Sequence, residues 1–193
     1  FPIAGRLADS SKSLSFHDAQ ASAERGRLKL ELSGGVEGML AGTTVNTLNL
    51  DFSDALETTF YGGMDNIDIE IEDGNPAAIA VRFHVAQHSY LRHMDFNIGN
   101  AYAAIEDIGN QVNDITVSGG KYGIITRRTA PVWQFLLMDS RFEGQSEAGI
   151  RTMEAGFTMI RCSFENMPVA VQLFEGEVEQ LYGRDLIMKN ITM

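Results

Sequence analysis

Two groups of side chains in this 193-residue chain carry chemistry worth testing against a fold. Arg82, His84, His88 and Tyr90 lie close together, and Arg127, Arg128, Trp133 and Gln134 form a second group; the adjacent carboxylates Glu106 and Asp107 stand between them. Arg151 and Glu154 follow. A guanidinium pairs a carboxylate through two parallel N–H bonds, and the rings of Trp133 and Tyr90 offer flat apolar faces to a sugar. Once a cation neutralises a substrate carboxylate, the neighbouring C–H becomes acidic and a base can take its proton. In that β-elimination reading the catalytic candidates are His84, His88, Tyr90, Asp107, Arg127 and Arg151. The substrate-binding candidates are Arg82, Glu106, Arg128, Trp133, Gln134 and Glu154. Hydrolysis would instead need two carboxylates, one as acid and one as base or nucleophile, and Glu106, Asp107 and Glu154 are the candidates.

Each of these has a plainer reading. Glu106, Arg127 and Arg151 recur at intervals that would stack them in a solvated ladder of ion pairs. The His84-x-x-x-His88 spacing suits a metal only on a helix, and this stretch reads as strand and loop, so no metal ligand is assigned. Trp133 follows Pro131 and would also serve as a plug on the core. Cys162 is the single cysteine, which excludes an internal disulfide and reads as an inert, partly buried thiol. No cofactor is predicted, with calcium left open.

Composition narrows the partners. With 15 Lys+Arg against 26 Asp+Glu the net charge is -11, which repels phosphate backbones and anionic membranes. Neither nucleic acid nor membrane is expected, and the oligomeric state is open. The first residue is Phe1, with no signal peptide visible, so a processed form or fragment is expected.

The elements that must position these residues are legible as a repeat. Leu28–Leu32, Leu48–Phe52 and Ile67–Ile71 alternate apolar and polar residues as half-buried strands do. The last apolar residue of each strand gives the series Leu32, Phe52, Ile71, Ile98, Val117, Phe142, Phe164 and Met188, with a mean period of about 22. Two residues after each anchor stands Gly34, Asp54, Asp73, Asn100, Gly119, Gly144, Asn166 or Asn190, types that tolerate a left-handed bend. The asparagines among them read as structural. Asn190-Ile191-Thr192 also matches a glycosylation sequon, a weak signal alone. A second strand opens with a small-then-branched pair: Ala78-Ile79, Ala104-Ile105, Gly123-Ile124, Gly149-Ile150 and Ala170-Val171.

The expected fold is therefore all-β, a right-handed parallel β-helix of about eight turns over residues 27–193, open to truncation at either end. Residues 1–26 are expected to form a short N-terminal cap or leader, with Asp9 to Arg25 as helix or loop over the first turn. On turn length, bend residues and stacked apolar strands, Leu28 to Met188 resembles the pectate-lyase-like superfamily. That superfamily contains polysaccharide lyases, glycoside hydrolases and phage tailspikes. The resemblance implies a secreted or cell-surface protein whose partner is a polysaccharide or oligosaccharide. Neither the Gly-His-Gly of the polygalacturonases nor the aspartate cluster of the calcium-dependent pectate lyases is present.

Turn length varies, and the surplus always follows the second strand, so the longer loops should emerge along one edge. A 27-residue and a 25-residue turn flank one of 19 residues, which places two raised walls around the low floor carrying Glu106 and Asp107. Such a groove suits an acidic polysaccharide cleaved by β-elimination. Glycoside hydrolysis and a non-catalytic carbohydrate-binding, adhesin or tailspike-like module are the alternatives. Strict alternation puts Asp107 inside, in a column with Val81, Thr126, Thr152 and Leu173. Either those hydroxyls and backbone amides satisfy it there, or the strand bulges and turns it out to the groove.

Overall fold

The computed structural model describes residues 19–24, 27–32, 62–83, 87–128 and 134–192, the first two stretches as backbone. In chain order the strands are β1 (Ala19–Glu24), β2 (Arg27–Leu32), β3 (Gly63–Asp65), β4 (Ile67–Ile71), β5 (Ile79–Arg82), β6 (Tyr90–Asn97), β7 (Ala103–Glu106), β8 (Gln111–Ser118) and β9 (Tyr122–Ile125). They continue as β10 (Phe135–Met138), β11 (Arg141–Glu143), β12 (Ala148–Thr152), β13 (Phe157–Ile160), β14 (Ser163–Met167), β15 (Val169–Leu173), β16 (Leu181–Arg184) and β17 (Ile187–Ile191). Among the described residues there is no helix, and apart from β1 on β2 every pairing is parallel. The chain is a parallel β-solenoid.

Each turn crosses three faces. The first contains β3, the opening halves of β6 and β8, β10, β13 and β16; the second contains β2, β4, the closing halves of β6 and β8, β11, β14 and β17. The third is the five-stranded sheet β5, β7, β9, β12 and β15. The first two faces join at a column of left-handed residues, Asn66, His93, Asp114, Asp139, Arg161 and Asp185, all with φ between 51° and 57°. One such residue per turn reverses the side-chain alternation and bends the strand without breaking the ladder.

Stacked apolar columns fill the interior. On the second face Ile69, Phe96, Val117, Phe142 and Phe164 lie in register and are buried, and the rings of Phe142 and Phe164 stack with centroids 5.1 Å apart. On the third face the column is Val81, Ile105, Ile124, Ile150 and Val171. The expected pair Ala78-Ile79 is two residues early, since Val81 rather than Ile79 pairs with Ile105; the small residues ahead of Ile124 and Ile150 are explained here. A Cβ on Gly123 would stand 2.6 Å from Phe142, and one on Gly149 would stand 2.7 Å from Phe164. The aromatic column needs that room.

Three expectations are corrected. Among the described residues the coil has about five turns rather than eight, as the five strands of the third face count them, and β2 stacks directly on β4 through Leu28↔Ile67 to Leu32↔Ile71. The expected Leu48–Phe52 strand, with the bend residues Gly34 and Asp54, lies outside the described residues. The anchors Ile71 and Ile98 are two residues late, since Val117 pairs with Phe96 and Phe96 with Ile69. A shift of two keeps the same side chains inside, so alternation cannot detect it. Consequently Gly119, Gly144, Asn166 and Asn190 are left-handed as expected, whereas Asp73 and Asn100 are not. Finally, Ala19–Glu24, expected in a helix or loop, is a strand antiparallel to β2; its alternating Ala-Gln-Ala-Ser-Ala-Glu has the period of a strand.

Candidate functional site

The surplus residues enter on two edges rather than the expected one: the connections from the second face to the third shrink from 72–78 to the single residue 168, and those from the third face to the next first-face strand vary as well. The latter are 83–89, 107–110, 126–134, 153–156 and 174–180, alternating long and short along the coil. The two walls expected around Asp107 run through 84–86 and 129–133, so His84 and Trp133 lie outside the described residues. The floor between them is described.

Asp107 ends β7 in a left-handed conformation, φ 58°. Its amide still donates to the Ile125 carbonyl at 2.9 Å, which keeps the backbone in the ladder. The side chain instead leaves the apolar column. Arg82 donates to Asp107 Oδ2 through Nε at 3.0 Å and faces it through Nη2 at 2.9 Å, and Arg127 Nε stands 3.8 Å from Oδ1. Of the two outcomes open for Asp107, neither holds as stated: the side chain turns to the guanidiniums of Arg82 and Arg127 and yet stays buried. The Thr126 hydroxyl donates to the Ile108 carbonyl. The register also replaces Val81 in the expected column with Phe83, since Val81 pairs with Ile105 and Arg82 with Glu106. A carboxylate this buried is tolerated because it is paired.

Glu106 points out from the same strand, 3.8 Å from Arg82 Nε. Burial, followed by the neighbouring charge of Asp107, pushes its carboxyl above the usual range; Arg82 and Arg127 oppose this and do not cancel it. The outward row is Arg82, Glu106, Ile125, Arg151 and Gln172. Arg127 is not in it, so the expected Glu106–Arg127–Arg151 ladder does not form.

Arg151 is held by aromatic rings. Its guanidinium carbon is 4.3 Å from the Phe174 ring centroid and 5.4 Å from that of Tyr122, and Nη1 donates to the Tyr122 hydroxyl at 3.2 Å. Its Nε is buried without a hydrogen-bond partner. Arg127 also reaches Phe174, at 5.5 Å, and Lys121 lies over both Tyr102 and Tyr122. These rings sit on a patch of Ala103, Tyr122, Ile125 and Ala148 that is buried although it faces away from the core. The outside of the third face thus carries an aromatic ledge with several cations on it.

The remaining candidates are scattered. Arg128 and Glu154 make an ion pair at 3.7 Å on the rim of the loop edge. Gln134 donates to the Thr158 hydroxyl at 2.6 Å on the first face. Tyr90 opens β6 on that same face, against Gly63 and with Arg92 4.7 Å from its ring, while His88 is exposed in the 87–88 turn. The structure therefore brings together Arg82, Glu106, Asp107, Arg127 and Arg151. It adds Tyr122, Phe174 and Lys121, which the sequence reading missed. One usable signal was there: Tyr122 directly precedes the small residue of its pair, a position on the outer side of the strand. Among the described residues, no group of three His, Cys, Asp or Glu is placed to hold a metal.

No protein-family model, curated protein or solved structure matches the chain. The class its coordinates define is an all-β parallel solenoid with a cationic, aromatic outer face.

Proposed function

We propose that this solenoid is a carbohydrate-active enzyme of the pectate-lyase-like kind that cleaves an acidic polysaccharide by β-elimination along its third face. The observation that carries the reading is the ledge itself. In a chain of net charge -11, Arg127, Arg151 and Lys121 are gathered on aromatic rings beside a carboxyl raised above its usual range. Rings suit the apolar face of a sugar, and guanidiniums suit its carboxylate. In the reaction an arginine neutralises the uronate carboxylate and acidifies the adjacent C–H. Glu106, a stronger base when ionised than an ordinary carboxylate, takes that proton. The C–H electron pair becomes the new C=C bond, the glycosidic C–O bond breaks, and the departing oxygen takes a proton from water. A secreted or cell-surface location accompanies this reading.

Hydrolysis is the second reading, favoured by the contrast between neighbouring carboxyls: Asp107 is bonded to guanidiniums while Glu106 favours its proton. Incubation with a panel of polyuronates separates the cases. Ultraviolet-absorbing unsaturated ends support elimination, and reducing ends without that absorbance support hydrolysis. No product from any polymer would overturn both and leave a carbohydrate-binding or adhesin-like module.

A further inference from the structure

The loop 174–180 carries none of the catalytic candidates, yet it supplies the ring that Arg127 and Arg151 share. These arginines come from different turns, on either side of the 129–133 stretch. Their guanidinium carbons lie 5.5 Å and 4.3 Å from the Phe174 centroid, so they are no farther apart than those distances together. Like charges do not gather without a reason. A guanidinium over a ring is held through its face, which leaves its edge N–H groups for another partner. Those edges are little used. Among the described residues, Arg127 has a 3.8 Å ion pair with Asp107, Arg151 has one bond to Tyr122, and the buried Nε of Arg151 has no partner.

The loop is anchored to match. The Phe174 amide donates to the Thr152 carbonyl at 3.1 Å. At the other end, the Glu179 carboxylate accepts from the Thr152 hydroxyl at 2.5 Å, the Ala155 amide at 3.0 Å and the Gly156 amide at 2.8 Å. Both ends are thereby tied to the β12 turn, which also carries Arg151.

We infer that Phe174 is a positioning residue, holding Arg127 and Arg151 as a paired subsite for an oxyanion such as a carboxylate, and that Glu179 secures the loop presenting it. The assignment of that oxyanion to a glycan rests on the function proposed above; the paired subsite does not. The test follows the arginine Nε–Hε signals by NMR during titration with trigalacturonate, neutral maltotriose and inorganic phosphate. Trigalacturonate and phosphate shift the Arg127 and Arg151 signals, and maltotriose does not. Phe174→Leu keeps the apolar bulk but loses the π face and weakens both anions about tenfold, whereas Phe174→Tyr stays within about twofold of the wild type. Glu179→Gln weakens them by less than Phe174→Leu. If phosphate acts and trigalacturonate does not, the subsite stands and the acidic-glycan reading falls. If Phe174→Leu matches the wild type, or neither anion moves these signals, the inference is overturned.

Discussion

Two of the solenoid's three long edges are built from the same strands by different means. At the edge between the first and second faces every turn spends one left-handed residue, and Asn66, His93, Asp114, Asp139, Arg161 and Asp185 share nearly the same φ despite their different side chains. At the edge between the third and first faces the connections vary from turn to turn, and here the buried carboxylate, its arginines and the aromatic ledge are found. Polar side chains occur at both edges. At the first they pair in the open, as Arg161 does with Asp139 through 2.5 and 2.7 Å bonds. At the second, Asp107 pairs with little access to water of its own, where losing a partner costs more. Constancy of the backbone marks the edge that builds the coil, whereas variation alone does not mark a site, since the connections from the second face to the third vary too.

This contrast can be broken by substitution. The largest effect is expected for Arg82→Ala, which removes the short guanidinium partner of the buried Asp107 and leaves the Arg127 contact long. A loss of about 3 kcal/mol in denaturant unfolding is expected, less than for a fully buried pair because Arg82 is partly exposed. A loss below about 1 kcal/mol would make this edge no different from the other. Next comes Asp114→Val, which puts a branched residue at φ 52° and should cost about 1–2 kcal/mol, while Asp114→Gly stays close to neutral. Equal effects of Val and Gly would remove the backbone explanation of the first edge.

A third expectation concerns pH. In the folded chain the Glu106 carboxyl titrates above the ordinary glutamate value of 4.5, so its protonation favours the fold. That contribution is complete below 4.5 and is lost as pH rises through the raised value. Glu106→Gln should therefore melt higher than the wild type at neutral pH, with the gap closing in acid. A gap unchanged by acid would assign the effect to packing. The smallest change is expected for Asp139→Gly, which removes an exposed ion pair but relieves a left-handed residue; a net shift under about 0.5 kcal/mol should be seen by thermal melting.

The repeat was readable because each inward position sees its own kind in the turns above and below. The series Val117, Phe142, Phe164 is a column in the sequence and in space. The same series ends in Met188, which continues the register but is 53 % exposed, since β17 pairs on one side alone. The left-handed column was not readable. Four of its members are Asn or Asp, but His93 and Arg161 break the compositional pattern, and a backbone angle leaves no trace in their identity. Among the candidate site residues, Arg82, Glu106, Asp107, Arg127 and Arg151 converge. Tyr90 and Gln134 instead lie on the first face. Loop membership alone could not separate these sets, because the connection from the third face to the first touches both.

By itself the sequence determined a coil of parallel strands and the side of each strand that is buried. These follow from the repeat and from period-two alternation, both properties of the chain. Tertiary structure decided the rest. Alternation is unchanged by a slip of two, so only the stacked ladder could align Phe96 with Val117. Only the assembled face could show that Asp107 turns toward Arg82 and Arg127, and that Phe174 lies under arginines from two earlier turns. Such contacts join residues twenty or more positions apart, and their geometry exists only once the turns have stacked.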